Sequence, residues 1–285
     1  MDKFLIIVNT DKDPGLEKTK AINQFLELRG KRCSYIGIER VFESEEARSR
    51  VASKITDDLD AVIALGGDGT LIQIADLAFD KGIPILGVNM GNLGFLCEVE
   101  KDKVFDALEK LIKNEYEIED RILLAGEATI SSVTFKTEHA LNDIVIARKG
   151  RLGTLDIRVS VNGSELYTCS SDGMIICTPT GSTGYNISAG GPIVAPYSKS
   201  VILTPICAHS LNIRPIVLSG DDEIVVELLG ESLKPNMSAE VSFDGGKAHP
   251  MNAGDKVTVR KAFTEAKIIK LSSKSFYETL ARKMS

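Results

Sequence analysis

A near-continuous apolar run, Asp60-Ala61-Val62-Ile63-Ala64-Leu65, feeds Gly66-Gly67-Asp68-Gly69-Thr70 and then the helical pattern of Leu71 to Phe79. A strand so uniformly apolar must be covered on both faces, the condition met in parallel sheets flanked by helices. The neighbouring segments repeat the alternation. Phe4 to Val8, Cys33 to Ile38 and Ile83 to Val88 read as strands, and Leu16 to Leu28, Glu43 to Ile55 and Lys101 to Lys113 as helices. The predicted first half is therefore an α/β domain.

Past the last of these helices the texture changes to short apolar or alternating runs separated by Gly, Asn, Asp, Ser and Pro. Strands are expected over Ile122–Ile130, Leu141–Ala147, Leu155–Val161, Met174–Cys177, Val201–Thr204, Glu223–Leu228, Ala239–Phe243, Lys256–Arg260 and Ala266–Leu271. So many turn signals predict two packed sheets rather than one open sheet. A short helix is expected around Gly181 to Ala189, and a terminal amphipathic one over Ser275 to Lys283. The expected division is an α/β domain over residues 1–118, with the terminal helix within 273–285 packing back on it, and a β-sandwich domain over 119–272.

The 285 residues carry 34 Lys and Arg against 40 Asp and Glu, a net charge of −6. That balance lacks the basic footprint of a protein that grips nucleic acid or anionic membrane, so no partner of either kind is expected. Phosphate, if handled, must be held locally by backbone amides, single side chains or a metal. Hydrophobic content of 43% beside 26% charged residues excludes a disordered chain and a disulfide-dominated mini-fold. The five cysteines are scattered and odd in number, as in a reducing compartment. The apolar stretch near Met1 is too short for a signal peptide and no segment approaches a membrane span, so the expected location is the cytoplasm.

The glycine turn after the 60–65 strand is a ready phosphate cradle, because a turn feeding a helix N-terminus exposes backbone N–H groups to an anion. It is neither a Walker A loop nor a G-x-G-x-x-G fingerprint. Asp68 is its oddity. A carboxylate there repels phosphate unless it binds a metal or accepts a proton from an attacking hydroxyl, the role of a general base. Such turns also simply cap helices. Asn89-Met90-Gly91-Asn92-Leu93-Gly94-Phe95-Leu96 puts a second glycine-rich loop at the same sheet edge, and Leu141-Asn142-Asp143 sets an amide and a carboxylate side by side at a strand end. The segment from Asp172 to Pro192 runs from strand through Thr178-Pro179-Thr180-Gly181-Ser182-Thr183-Gly184-Tyr185-Asn186-Ile187-Ser188 to a double glycine. Its hydroxyls surround one aromatic, Tyr185, able to lie against a base or nicotinamide. His139, His209 and His249 lie far apart with no metal spacing, and a structural role is expected for each.

Together with Leu203-Thr204-Pro205-Ile206-Cys207 and Arg214-Pro215-Ile216-Val217, these blocks resemble the NAD kinase family in the right order over nearly the whole chain. The resemblance implies a Rossmann-like N-terminal domain and a C-terminal β-sandwich. It also implies transfer of the γ-phosphoryl of ATP, or of polyphosphate, to the 2′-hydroxyl of the adenosine ribose of NAD, with magnesium or manganese. Carried over by motif, Asp68 is the proton acceptor with Gly69 beside the substrate. Gly66, Gly67, Gly69, Thr70 and Asn89 form the phosphate-donor loop. Asn142 and Asp143 contact the adenosine part, and Asp172 lies toward the nicotinamide end. Thr180, Thr183, Gly184, Tyr185, Asn186, Ile187 and Ser188 line the dinucleotide pocket, and no protein ligand to a metal is assigned. A homodimer or homotetramer through the C-terminal domain is implied. Three positions depart from the family: Gly184 stands where many members have Ala, Gly246 where some supply a polar side chain, and Ser170 where some bacterial members have Arg. The loop around Asp68 also recurs in kinases acting on lipid or sugar-phosphate acceptors, but the segments around Asn142 and Thr183 argue against them. A non-catalytic dinucleotide sensor would keep the Thr180–Ser188 pocket without needing Asp68. An oxidoreductase lacks its fingerprint loop here.

Overall fold

The computed structural model of the chain describes residues 1–39, 44–91, 94–131, 133–134, 137–150, 153–210, 212–230, 237–271 and 275–284. It divides into two compact units, Met1–Arg121 with Thr264–Ser285, and Ile122–Phe263.

The first unit is built on one sheet, in the order Arg32–Ile38, Lys3–Asn9, Ala61–Gly66, Ile85–Asn89, Ala266–Lys270, Glu117–Arg121, with the short Val99–Glu100 beside Ile85–Asn89. The pairings are parallel except for Glu117–Arg121 on Ala266–Lys270. Both faces are covered, as the apolar 60–65 run requires. Phe4, Ile6 and Val8 pack with Ile22 and Leu26 of helix Glu17–Glu27 and with Val104, Leu108 and Leu111 of helix Val104–Ile112. Ala64 lies opposite Gly87 on the other face, where Leu71 of helix Asp68–Ala78 descends.

Three sequence expectations need correction here. The third helix starts at Asp68, not near Leu71, because extended Gly67 takes the cap position and its carbonyl accepts from the Thr70 and Leu71 N–H groups at 3.0 and 3.2 Å. Ala266–Lys270, expected in the β-rich half, belongs to this parallel sheet; Ile269 joins the core of the first unit. The helix expected over Glu43 to Ile55 spans Glu45–Ala52, begun by Ser44, whose hydroxyl accepts from the Ala47 N–H; Glu43 lies outside the described residues.

The second unit is a sandwich of a six-stranded and a seven-stranded sheet. One core lies between them. Ile144, Ile146, Met174, Ile176, Leu203 and Val241 come from the first sheet, and Leu155, Ile157, Val159, Val226, Val257 and Val259 from the second. Ser164–Ser171 and Ile216–Ser219 escape the sequence reading because they are edge strands with few buried residues. Gly181–Thr183 forms one 3₁₀ turn and Tyr185–Ser188 one α turn. No helix among the described residues is long and apolar enough to cross a membrane.

Helix and sheet meet closely at Gly87. A Cβ there would sit 2.7 Å from Leu71 Cδ1 and 3.0 Å from the Cys97 Cα. Gly87→Ala should therefore destabilise the fold by about 1–3 kcal/mol, the usual cost of overpacking, read as a lower urea midpoint.

Candidate functional site

In open α/β sheets ligands collect beyond the carboxyl ends of the strands. Three loops of the first unit emerge there. Asn9 and Asn89 end their strands in side-chain turns, Asn9 Oδ1 accepting from the Asp11 N–H at 2.9 Å and Asn89 Oδ1 from the Gly91 N–H at 2.8 Å. Asn89 is buried in register with Gly66, so its side chain shapes the second loop. The Lys12 ammonium, unremarked in the sequence, comes within 3.8 Å of where a Gly91 Cβ would be.

Between these loops lies the glycine turn. A Cβ on Gly67 or Gly69 would meet nothing within 4 Å, so the backbone here is approachable. Asp68 and Gly69 open the helix, where N–H groups lack intrahelical acceptors. Gly66 and Thr70 are packed into the fold. Thr70 is buried, its hydroxyl 2.2 Å from where a Gly66 Cβ would stand.

Half-buried Asp68 turns its carboxylate onto the second loop. Oδ2 accepts from the Phe95 N–H at 2.6 Å, and Oδ1 from the Leu96 and Cys97 N–H groups at 3.2 and 3.0 Å. Gly94 makes room: a Cβ there would overlap Oδ1 at 1.8 Å. Burial pushes the Cys97 thiol well above its usual range and the neighbouring Asp68 carboxylate adds to this, so Cys97 is a packing residue rather than a nucleophile. The sequence showed the Gly94 loop only as a polar loop, because nothing local says which side chain it receives.

In the second unit the structure brings Asn142, Asp143 and the Thr178–Ser188 turn together. Thr178 donates its N–H to the Asn142 carbonyl at 2.9 Å and its hydroxyl to the Leu141 carbonyl at 2.5 Å. Gly181 lies flat on Asn142; a Cβ would meet the Asn142 carbonyl oxygen at 2.2 Å. At Gly184 a Cβ would sit 3.2 Å from the Gly181 carbonyl oxygen and 3.6 Å from Asn142 Nδ2, a space into which alanine nearly fits. Asn142 Oδ1 is buried with no hydrogen-bond partner among the described residues. An acceptor left so costs about 1–3 kcal/mol, which a donor on a ligand would recover.

The remaining predicted residues differ in what they can offer. Tyr185, Ile187 and Ser188 are exposed, Thr183 is half-buried and Thr180 buried. Asn186 is fully buried, and its amide is spent inside the loop. Nδ2 donates to the Ser182 and Pro192 carbonyls at 3.1 and 2.9 Å, and Oδ1 accepts from the Thr204 hydroxyl at 2.6 Å. Asp172 does not join this group. Cys177 pairs with Asp143 and Gly173 with Ala147, which puts Asp172, five residues along, roughly 17 Å away at about 3.4 Å per residue. It forms a two-bond ion pair with Arg148, at 2.8 and 3.2 Å, a partner the sequence reading missed.

The sequence also passed over the role of Asp244. With φ at 49°, it turns its carboxylate inward to accept from the Leu141, Asn142 and Asp143 N–H groups at 2.6, 2.8 and 2.9 Å. Burial pushes Asp244 from 3.8 up to about 7 against the pull of these amides, with Asp143 adding to the rise; burial alone lifts Asp143 to about 6. Both carboxyls thus hold protons more tightly folded than unfolded. Their stabilisation is complete below about pH 4 and is lost as pH rises through about 7. Urea unfolding should record that decline in the native chain and a shallower one in Asp244→Asn; a native profile rising over this window would contradict the assignment.

Residues 4–116 match the ATP-NAD kinase N-terminal domain and 141–271 the ATP-NAD kinase C-terminal domain. The chain is 42% identical to an NAD kinase of Agathobacter rectalis over 100% of its own length and 99% of the relative's, and 39% identical to one of Lachnoclostridium phytofermentans over 99% of each. The structure of an NAD kinase from Archaeoglobus fulgidus in complex with ATP superposes with a TM-score of 0.76 at 25% identity, covering 99% of this chain and 98% of that one. A yeast NADH kinase complexed with NADH shares the fold, with a TM-score of 0.78 at 20% identity over 99% and 86% of the two chains. With both domains matched in order and relatives aligned end to end, the chain belongs to the NAD kinase family.

Proposed function

We infer that this chain transfers the γ-phosphoryl of ATP to the 2′-hydroxyl of the adenosine ribose of NAD, giving NADP. The observation that carries the reading is Asp68, fixed by three backbone N–H groups at the mouth of a glycine turn. A carboxylate has about four lone-pair sites, so roughly one remains to receive the hydroxyl proton. In-line transfer passes through a loose transition state, where positioning and charge neutralisation outweigh base strength. The open amides of Asp68 and Gly69 and the Lys12 ammonium offer local partners for donor phosphates on an otherwise acidic chain.

The second unit supplies the dinucleotide contacts in this reading. The orphaned Asn142 Oδ1 accepts from an adenine or ribose donor, and exposed Tyr185 and Ile187 lie against the ligand. Asp143, Thr180, Thr183, Gly184 and Ser188 line the same turn. Asn186 acts by holding its shape. Asp172, far along the strand, would serve the nicotinamide end.

A divalent cation, magnesium or manganese, completes the proposal. No cluster of three His, Cys, Asp or Glu side chains that could hold an ion occurs among the described residues. Magnesium rides on substrate phosphates and water, with at most one or two carboxylates. When bound it neutralises charge on the donor's β- and γ-oxygens. Five unpaired cysteines support a cytoplasmic location. Val217 and Leu166, exposed on edge strands of the two sheets, support a homodimer or homotetramer through the second unit.

The deciding assay pairs the purified chain with NAD or NADH, magnesium, and ATP or polyphosphate, and quantifies 2′-phosphorylated product. No product under any pairing would leave a non-catalytic dinucleotide sensor as the better reading. Asp68→Asn should bind NAD with near-native affinity in calorimetry yet lose about 10²-fold or more in turnover. Gly94→Ala, which drives a methyl group into the carboxylate, should lower kcat by at least about tenfold while leaving the KM for NAD within about twofold.

A further inference from the structure

The helix Phe276–Met284 lies beyond the matched C-terminal domain, which ends at residue 271, and buries none of its residues. Core packing therefore does not explain it. A helix of this length is marginal by itself, so its docking depends on the few contacts it makes. Phe276 and Lys283 are seven residues apart and share one face. Both fall on the same target. The Phe276 ring lies 6.2 Å from the Phe95 ring, centroid to centroid, and the Lys283 ammonium sits 4.1 Å from the Phe95 ring centroid. Just before the helix, Lys270 pairs with Glu98 at 3.3 Å. The helix thus grips the start of the 95–98 stretch and the strand Ala266–Lys270 its end, and the N–H groups of residues 95–97 hold Asp68.

We propose that the C-terminal helix is a clamp on this loop, and that Phe95, Phe276 and Lys283 are positioning residues for the Asp68 carboxylate. Phe95 is the link: its ring is held by the helix while its N–H donates to Asp68 Oδ2 at 2.6 Å. A helix with nothing buried can leave without opening a core. Undocking would free the loop amides, and with them the direction of Asp68, while the sheet stays folded. The effect on turnover rests on the kinase reading above; the effect on the loop does not.

The test compares the full chain, a chain ended after Leu271, and full chains carrying Phe276→Ala or Phe276→Tyr. Amide hydrogen exchange at residues 95–97 and steady-state kinetics with NAD and magnesium–ATP are measured on each. The clamp predicts faster exchange in the shortened chain and in Phe276→Ala, with kcat lowered about tenfold or more, the KM for NAD within about twofold, and recovery in Phe276→Tyr. Unchanged exchange overturns the clamp. Faster exchange with native kcat overturns its positioning role. If the full chain makes no NADP, the kinase reading fails separately, and exchange alone upholds or overturns the clamp.

Discussion

The first unit depends on one arrangement: a carboxylate at the first position of a helix receiving three consecutive backbone N–H groups from a loop 27 to 29 residues further along the chain. Hydrogen bonds to a charged group are worth about 1.5–3 kcal/mol each, enough to hold a loop with little secondary structure of its own. Two glycines make the arrangement sterically possible. Gly94 yields space to the carboxylate itself, and Gly87 lets Leu71 and Cys97 close in beneath it. The helix N-terminus adds its own preference for negative charge.

The second unit uses the same device. Asp244 accepts from residues 141 to 143 as Asp68 accepts from 95 to 97, and in each case one carboxylate gathers three consecutive amides. The result at Asn142 is a backbone pinned from one side by Asp244 and from the other by Gly181 and Thr178. Its side chain is then held without being satisfied, and an unsatisfied polar group is a natural place for a ligand to bind. Asn186 shows the complementary case, a polar side chain wholly consumed in keeping a turn rigid.

What the sequence made legible follows from the range of the forces involved. The 61–66 strand, the paired helices and most sandwich strands announce themselves through periodicity, which is local. The glycine turn with Asp68, and the Thr178–Ser188 turn, were legible because their residue types are unusual in those positions. Gly94, Asp244 and Arg148 were not. Each acquires its role from a partner 24 to 103 residues distant, such as Arg148 with Asp172 and Leu141 with Asp244, and no spacing rule encodes that meeting. The strand Ala266–Lys270 was misplaced for the same reason. Its pattern says strand, but only its fit beside Ile85–Asn89 says which sheet.

That returning strand also sets an order of events. Arg121 pairs with Ala266, so the chain leaves the first unit and re-enters it at facing positions of one antiparallel ladder. The whole sandwich is thus an insertion between two neighbours of a single sheet. During synthesis, which proceeds from the N-terminus, the Glu117–Arg121 strand has no partner until the ribosome has delivered everything through Lys270. The nascent first unit must wait with an open edge on Ile85–Asn89, and the sandwich can fold before the older domain is able to finish.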